Sequence, residues 1–210
     1  MILDGYGLNE HLIKTAAEDG IDTIVTCDNG IAAAPQIRLA KEKGMTVVVT
    51  DHHEVPFEET PEGRHYLLPE ADAVVDPKQA DCGYPFKQIC GAVVAMKLMQ
   101  VLIDFADMPR KDMQRRKQLL DEMLTFGALA TVCDVMELKD ENRIIVKKGL
   151  EVMSHTDNLG LKALLSVNGL EGKELSPYHA GFIIGPCINA TGRLDTAARA
   201  LELFQADSWR

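Results

Sequence analysis

The sequence predicts an α/β fold, with a parallel sheet and flanking helices in its first half and helices alone in its second half. Two apolar, β-branched segments, residues 21–27 (IDTIVTC) and 45–50 (MTVVVT), have the composition of strands that are buried on both faces of a sheet. A helical segment lies between them, and such strand–helix–strand units pair their strands in parallel through a right-handed crossover. From Cys90 onward the apolar residues follow a helical pattern.

Start and stop residues place the two helices of the first half. Asn9 is a suitable N-cap for a helix over residues 10–19, which Gly20 ends. A second helix is predicted over residues 34–44, with Gly44 at its C-terminal end.

The remaining elements follow from composition. Residues 54–70 are rich in Pro and Glu and are predicted to form a loop, and residues 71–77 (ADAVVDP) are predicted to form a third strand. The second half is predicted to contain helices at residues 91–106, 111–132, 141–154 and 159–168.

The charge of the chain restricts its partners. Its 22 Lys and Arg residues and 32 Asp and Glu residues give a net charge of −10. This balance disfavours non-specific binding of nucleic acid, which needs a basic surface. It does not exclude a nuclease, because bound divalent cations would offset local carboxylates.

Cysteine spacing and hydropathy indicate the compartment. The five cysteines are scattered without a CxxC pair, which disfavours disulfides and structural zinc and favours a reducing compartment, the cytoplasm. No apolar run reaches the ~18 residues that a membrane span needs. The first residues also lack the basic and apolar regions of a signal peptide. We therefore expect a cytoplasmic protein without membrane contact.

Polar residues follow the first two predicted strands directly. Asp28 comes after the first strand, and Asp51 and His52 come after the second. Ligands of open α/β sheets bind beyond the carboxyl ends of the strands, and neighbouring strands lie ~4.8 Å apart. These side chains would therefore point into one small volume, where carboxylate and imidazole groups suit Mn²⁺ and related divalent ions.

Each of these residues also has an interpretation without metal. The sequence Asp28-Asn29-Gly30 is common in ordinary turns. Asp51 could cap a helix that begins near Glu54. Adjacent histidines in a loop are often only solvated.

Asp134 is a third carboxylate candidate, at the end of a long apolar helical run. A buried, unpaired carboxylate is costly, so Asp134 should meet a cation or hydrogen-bond donors if it is buried. If the helix instead ends near Val132, Asp134 is solvated, and the sequence leaves both interpretations open.

The segment TDHHEVP, residues 50–56, resembles the signature of the DHH phosphoesterase superfamily. Six further segments occur in the order typical of its RecJ-type exonucleases: GYGLN, CDNGIA, VVDPKQ, CGAVVAMKL, TVCDVMEL and GPCINATGRLDTA. The resemblance covers essentially the whole chain. It implies a Rossmann-like DHH domain over residues 1–195 and, over residues 196–210, the start of a helix toward a DHH-associated domain.

The resemblance also implies roles for individual residues. Asp28 would bridge two Mn²⁺ ions, with Mg²⁺ as an alternative, and His52 and Asp134 would complete the coordination of one ion. Asp51 and His53 would be the catalytic residues, with Asp51 supporting the cluster and His53 facing the substrate phosphate. Histidine binds metal only as neutral imidazole, so activity should fall as the pH drops through its titration range.

The resemblance places four further residues at the substrate. Gly91 and Ala92 would present backbone N–H groups to phosphate at a helix start, although close packing of helix against sheet explains the pair equally well. Asn189 and Arg193 match a stretch that lines the substrate cleft. Cys187 stands there in place of an arginine that is common in the family.

The function implied is that of a single-stranded-DNA-specific 5′→3′ exonuclease, which hydrolyses phosphodiester bonds with two Mn²⁺ ions in DNA repair and recombination. The superfamily's first Asp-x-Asp motif and the C-terminal domains are not found in the sequence, so we expect a DHH domain truncated at both ends, with little turnover of its own. Two alternatives remain. One is a phosphodiesterase or pyrophosphatase acting on short oligonucleotides or small nucleotides, and the other is a non-catalytic interaction module.

Overall fold

The computed structural model describes residues 7–106, 112–194 and 198–207. The chain divides into two compact units, one up to residue 97 and the other from residue 98 onward. The first unit contains a three-stranded parallel sheet, and the described part of the second unit is helical. The predicted fold class is therefore confirmed.

The first unit begins with alternating helices and strands, as the sequence predicts. Asn9 caps the first helix, because its side-chain oxygen accepts a hydrogen bond from the backbone N–H of Leu12 at 2.9 Å. The elements in chain order are α1 (Glu10–Glu18), β1 (Thr23–Val25), α2 (Ala34–Glu42), β2 (Thr46–Thr50), β3 (Phe57–Thr60), β4 (Gly63–Tyr66), β5 (Ala73–Val75) and α3 (Gly91–Phe105).

The sheet has the order β1-β2-β5, and both pairs of neighbours are parallel. In this register Val25 is paired with Val48, and Thr50 is paired with Val75. The backbone hydrogen bonds continue beyond the strands: the N–H of Asp28 donates to the carbonyl of Thr50, and the N–H of Asp51 donates to the carbonyl of Val75, both at 3.1 Å. The three strands therefore end level with one another at one edge.

Apolar side chains of α1, α2 and β2 form the core of this sheet-containing unit. Residues three apart on α2 face the same side of the helix and reach β2 from there. Each such side chain contributes about 1.5–3 kcal/mol when it is removed from water. The buried set is Ile13, Ile37, Ala40, Met45, Val47 and Val49.

The predicted loop at residues 54–70 is partly wrong, because β3 and β4 form an antiparallel hairpin within it. Contacts between the two strands hold the hairpin together. The rings of Phe57 and Tyr66 meet edge to face with 6.0 Å between their centroids, and the guanidinium of Arg64 lies 4.3 Å from the centroid of the Phe57 ring. Such cross-strand pairs stabilise a hairpin that has no apolar face of its own.

The second unit contains the C-terminal part of α3 and the helices that follow it. The elements after α3 are α4 (Met113–Cys133), α5 (Asp140–Met153), α6 (Leu159–Val167), α7 (Pro177–His179), a π-helical turn (Ala180–Ile184), α8 (Gly185–Leu194) and α9 (Ala198–Phe204). Helices predicted at 111–132, 141–154 and 159–168 correspond to α4, α5 and α6. No helix within the described ranges combines the length and apolarity that crossing a membrane requires.

Asn158 links three helices of the second unit. Its side-chain oxygen caps α6 by accepting from the N–H of Leu161 at 3.0 Å. Its amide nitrogen donates to Glu122 of α4 at 2.7 Å and to the carbonyl of Phe204 of α9 at 2.8 Å. The apolar core of this unit consists of Leu129, Val146, Leu150, Met153, Leu165, Leu170, Leu175, Ala180 and Ile184.

Candidate metal centre

Three aspartates occupy equivalent positions at the carboxyl edge of the sheet. Asp51 and Asp76 directly follow β2 and β5, and Asp28 is bonded through its N–H to the residue that precedes Asp51. The structure thus brings Asp28 and Asp51 together, as expected for residues after parallel neighbours. Sequence reasoning missed Asp76, although it follows an apolar run just as the other two aspartates do.

Asp28 has a left-handed backbone conformation, with φ of 64°. Residues other than glycine adopt this region at a cost, and Asp and Asn tolerate it best. The hydrogen bond to Thr50 holds the backbone in place, while the side chain is half exposed. Strained residues of this kind concentrate at functional sites. The interpretation of this segment as a turn is therefore compatible with its being a ligand position.

His52 is buried beside Asp28. Its Nε2 lies 3.0 Å from Oδ1 of Asp28, and the residue is 6% exposed. Potential ligand atoms of Asp28, His52 and His53 all lie within 4.8 Å of one another. Ligand atoms lie about 2.0–2.6 Å from a divalent ion, so atoms on opposite sides of it are ~4–5 Å apart. The three side chains fit around a single ion, and His52 is not simply solvated.

The carboxylate of Asp51 is occupied by hydrogen bonds. Its Oδ2 accepts from the N–H of Ile31 at 2.9 Å. Its Oδ1 accepts from the N–H of His52 at 2.8 Å, from the N–H of His53 at 3.3 Å and from Nδ1 of His53 at 2.7 Å. Asp51 is 1% exposed. Its alternative role as the cap of a helix near Glu54 is wrong, because the chain there leads into β3.

These contacts keep Asp51 ionised. Burial alone would raise the pKa of its carboxyl, but the hydrogen bonds from Ile31, His53 and His52 outweigh burial and bring the pKa below its ordinary value. Both oxygens of the ionised carboxylate accept hydrogen bonds, and these bonds orient Ile31, His52 and His53. The geometry therefore agrees with a supporting role for Asp51.

His53 takes its orientation from Asp51. Because the ionised carboxylate only accepts hydrogen bonds, Nδ1 of His53 carries the proton and donates it. The second ring nitrogen, Nε2, is left to face a ligand, and the side chain is 59% exposed. In this tautomer Nε2 can accept a proton, and once protonated there the ring can donate a hydrogen bond to a phosphate oxygen. The predicted catalytic role is therefore open to His53 on geometric grounds.

Gly91 packs directly against Asp28. A Cβ added at Gly91 would lie 2.5 Å from both Cα and Oδ1 of Asp28, closer than any real contact allows. The close packing of helix α3 against the sheet therefore explains a glycine at this position. The phosphate contacts predicted for Gly91 and Ala92 stay predictions.

The other predicted residues lie in the second unit. Asp134 is the C-cap of α4, which ends at Cys133, and it is exposed, so it carries no cost of burial. Asn189 is exposed on α8. The side chain of Arg193 lies outside the described part of the structure. The ligand role of Asp134 and the substrate roles of Asn189 and Arg193 stay predictions.

These features define a class of protein: α/β domains with a cluster of carboxylate and imidazole groups, of the kind that suits a divalent metal, at the carboxyl edge of a parallel sheet. The family model described as "DHH family, N-terminal domain" matches residues 4–131, which is more than half of the chain. The chain belongs to the DHH family.

Named relatives support this assignment. The single-stranded-DNA-specific exonuclease RecJ of Bacillus subtilis (strain 168) is 38% identical over 204 residues, which cover 97% of this chain and 23% of that protein. A crystal structure of exonuclease RecJ bound to manganese aligns with a TM-score of 0.76 and 30% identity, over 97% of this chain and 46% of that one. RecJ of Thermus thermophilus in complex with Mn²⁺ aligns with a TM-score of 0.74 and 30% identity, over 96% of this chain and 27% of that one. The chain thus spans about a quarter of the B. subtilis protein.

Proposed function

We propose that this chain is the DHH part of a RecJ-type exonuclease, which hydrolyses single-stranded DNA from its 5′ end with Mn²⁺, or alternatively Mg²⁺. The cluster of Asp28, His52 and His53 at the edge of the sheet carries the proposal, because it joins a half-exposed carboxylate to two imidazoles within 4.8 Å. Two further facts support the proposal. The similar protein of B. subtilis is a single-stranded-DNA-specific exonuclease, and two similar structures are of RecJ bound to manganese.

Some of these side chains would bind the metal ion, and Asp51 orients His53. Asp28 and His52 would hold a divalent ion, and Asp134 would complete its coordination. Asp51 keeps Nδ1 of His53 protonated, so Nε2 would be available to accept a proton at the substrate phosphate. A bound divalent ion would supply polarisation of the phosphodiester and a more acidic water. Since His52 is a ligand only when neutral, acid conditions would release the ion.

The net negative charge of the chain agrees with a site that binds its substrate only when divalent cations are present. With a net charge of −10, the chain would repel a polyanion unless bound ions offset the carboxylates at the edge of the sheet.

The proposed substrate contacts are Gly91, Ala92, Asn189 and Arg193. We also propose a cytoplasmic location and a role in DNA repair and recombination, in keeping with five free cysteines.

The test uses the protein expressed from the complete reading frame that contains these 210 residues. A 5′-labelled single strand, the same strand in a duplex and a dinucleotide are each incubated with Mn²⁺. We expect release of labelled mononucleotide from the single strand only. The variant His52→Ala should abolish the release, whereas His65→Ala, which removes an exposed histidine of β4, should retain it.

Two results would contradict the proposal. Preferential hydrolysis of the dinucleotide would favour a small-substrate phosphodiesterase of the same family. If the protein binds single-stranded DNA but does not hydrolyse it, and neither Mn²⁺ nor His52→Ala changes the binding, a non-catalytic interaction module is favoured.

A further inference from the structure

A groove in the second unit has no part in the proposed function. It lies between one face of α5 and the segment 172–177, and its volume is about 680 Å³. Pockets that bind ligands in proteins commonly enclose about 300–1,000 Å³. The groove therefore has room for a ligand, and the residues that line it show which class of ligand fits.

The groove follows α5 for about three turns. Arg143, Lys147, Leu150 and Ser154 all line it, and residues three or four apart lie on one face of a helix. At 1.5 Å per residue, the distance along α5 from Arg143 to Ser154 is about 16 Å. An extended peptide rises ~3.3 Å per residue, so about five of its residues fit along this length.

The floor of the groove is aliphatic. Val146, Leu150 and Leu175 line it, are all buried and belong to the apolar core of the unit. None of the described residues that line the groove is Phe, Tyr or Trp. Grooves for single-stranded nucleic acid usually carry aromatic side chains that stack on the bases, so this aliphatic floor suits the aliphatic side chains of a peptide better.

Three exposed cations line the groove beside this floor. Arg143 and Lys147 belong to α5, and Lys173 belongs to the opposite wall. Within the described ranges, none of these three groove cations has a carboxylate within 4.0 Å. In a chain with a net charge of −10, such a group of unpaired cations marks a local site for anionic groups.

Two acids also line the groove, but they leave the groove cations in excess. The carboxylate of Glu151 is bonded to Nζ of Lys148 at 2.9 Å. This bond and the charge of Lys148 lower the pKa of the Glu151 carboxyl, and the nearby charges of Lys147 and His155 lower it further. Glu174 is exposed on the opposite wall and is the remaining acid among the described lining residues.

We propose that this groove binds an acidic peptide segment of a partner protein. Aliphatic side chains of the segment pack on the aliphatic floor, and its carboxylates contact the groove cations. Charge complementarity of this kind directs a partner to one surface and fixes its register. All the residues involved belong to the second unit, so this surface is independent of the proposed metal centre.

The test uses the protein expressed from the complete reading frame that contains these 210 residues. One probe is a fluorescein-labelled peptide of about eight residues in which Leu alternates with Asp or Glu, and a second probe has Ser in place of each Leu. Fluorescence anisotropy measures the affinity for each probe. We expect the Leu probe to bind with a dissociation constant below about 1 mM, and the Ser probe to bind at least ~10-fold more weakly.

Charge variants locate the binding site. Arg143→Glu combined with Lys173→Glu reverses one cation on each wall and should weaken binding of the Leu probe at least ~10-fold, because like charges then face each other. Glu174→Lys removes an acid from the groove and should strengthen binding about 2–10-fold, which loss of folding cannot cause. Lys162→Glu is the control, because it makes the same exposed change on α6, outside the groove.

Three results would overturn this inference. The first is no binding of the Leu probe, or equal affinity for the two probes. The second is an affinity that the groove variants change no more than Lys162→Glu does, since the peptide would then bind elsewhere. The third is a loss of affinity for oligothymidylate in the charge-reversed double variant that matches its loss of affinity for the peptide, which would assign the groove to nucleic acid.

Discussion

Gly91 and Asp28 lie in direct contact, with no room for a side chain between helix α3 and the end of β1. A Cβ at position 91 would fall 2.5 Å from Cα and from Oδ1 of Asp28, and 2.7 Å from its Cβ. Asp28 holds a left-handed backbone conformation at this point. The missing side chain of Gly91 therefore leaves the space in which the strained Asp28 carries its carboxylate to the candidate metal centre.

Replacing Gly91 by alanine should destabilise the protein by about 1–3 kcal/mol, because the backbone of Asp28 cannot move away as a flexible side chain would. Urea denaturation followed by circular dichroism measures this loss. Gly83→Ala is the matched control, since a Cβ there meets nothing within 4 Å. Equal stability of the two variants would mean that the contact between Gly91 and Asp28 does not constrain the site.

Asp51→Asn should cost about 1–3 kcal/mol at neutral pH, because the amide nitrogen would face a backbone N–H where a carboxylate oxygen now accepts. The free energy of unfolding in urea at pH 7 checks this value. Asp81→Asn removes the same charge at an exposed position and should change the free energy by less than about 0.5 kcal/mol. A similar loss in both variants would assign the effect to net charge.

The cost of Asp51→Asn should also depend on pH. The folded pKa of Asp51 lies below its ordinary value of 3.8, so its ionised form stabilises the fold at pH values above 3.8. That stabilisation is lost as the pH falls through the lower folded pKa. The difference between wild type and Asp51→Asn should therefore shrink in acid, as measured by urea unfolding at a series of pH values. If the difference in unfolding free energy instead grows below pH 3.8, the folded pKa of Asp51 is raised and not lowered.

Gly160→Ala tests the second unit by itself. A Cβ at Gly160 would overlap the backbone carbonyl of Leu203, so helix α9 would have to move away from α6. We expect a loss of about 1–3 kcal/mol in unfolding free energy, even though alanine favours helix over glycine by ~1 kcal/mol. Lys162→Ala, at an exposed position of α6, should be nearly neutral. A stabilised Gly160→Ala protein would show that helix propensity outweighs this contact.

The position of the candidate site could be predicted from the sequence because it follows from chain order. Parallel neighbouring strands end at one edge, so Asp28, Asp51 and His52 had to meet there once the two strands were recognised. The same logic extends to Asp76 after the third strand. It was missed because a single Asp before Pro reads as an ordinary turn residue.

Other features depend on contacts that no local pattern records. The hairpin within residues 54–70 is held by pairs such as Phe57 with Tyr66, which exist only after the strands have paired. The hydrogen bond from Ile31 to Asp51 joins residues 20 positions apart. The exposure of Asp134 depends on where α4 ends within a continuous apolar run. Tertiary contacts determined each of these features.

His52→Ala should abolish the binding of Mn²⁺ by this chain. Loss of a residue that merely orients a metal ligand costs about 10–100-fold in affinity, so loss of a ligand that lies 3.0 Å from Asp28 should cost at least ~100-fold. Calorimetric titration with Mn²⁺ measures the affinity, and His65→Ala, an exposed change on β4, is the control. If His52→Ala binds Mn²⁺ as wild type does, the ion lies elsewhere. The cluster of Asp28, His52 and His53 would then be a network of hydrogen bonds at the edge of the sheet, and the case for a hydrolytic site in this domain would fail with it.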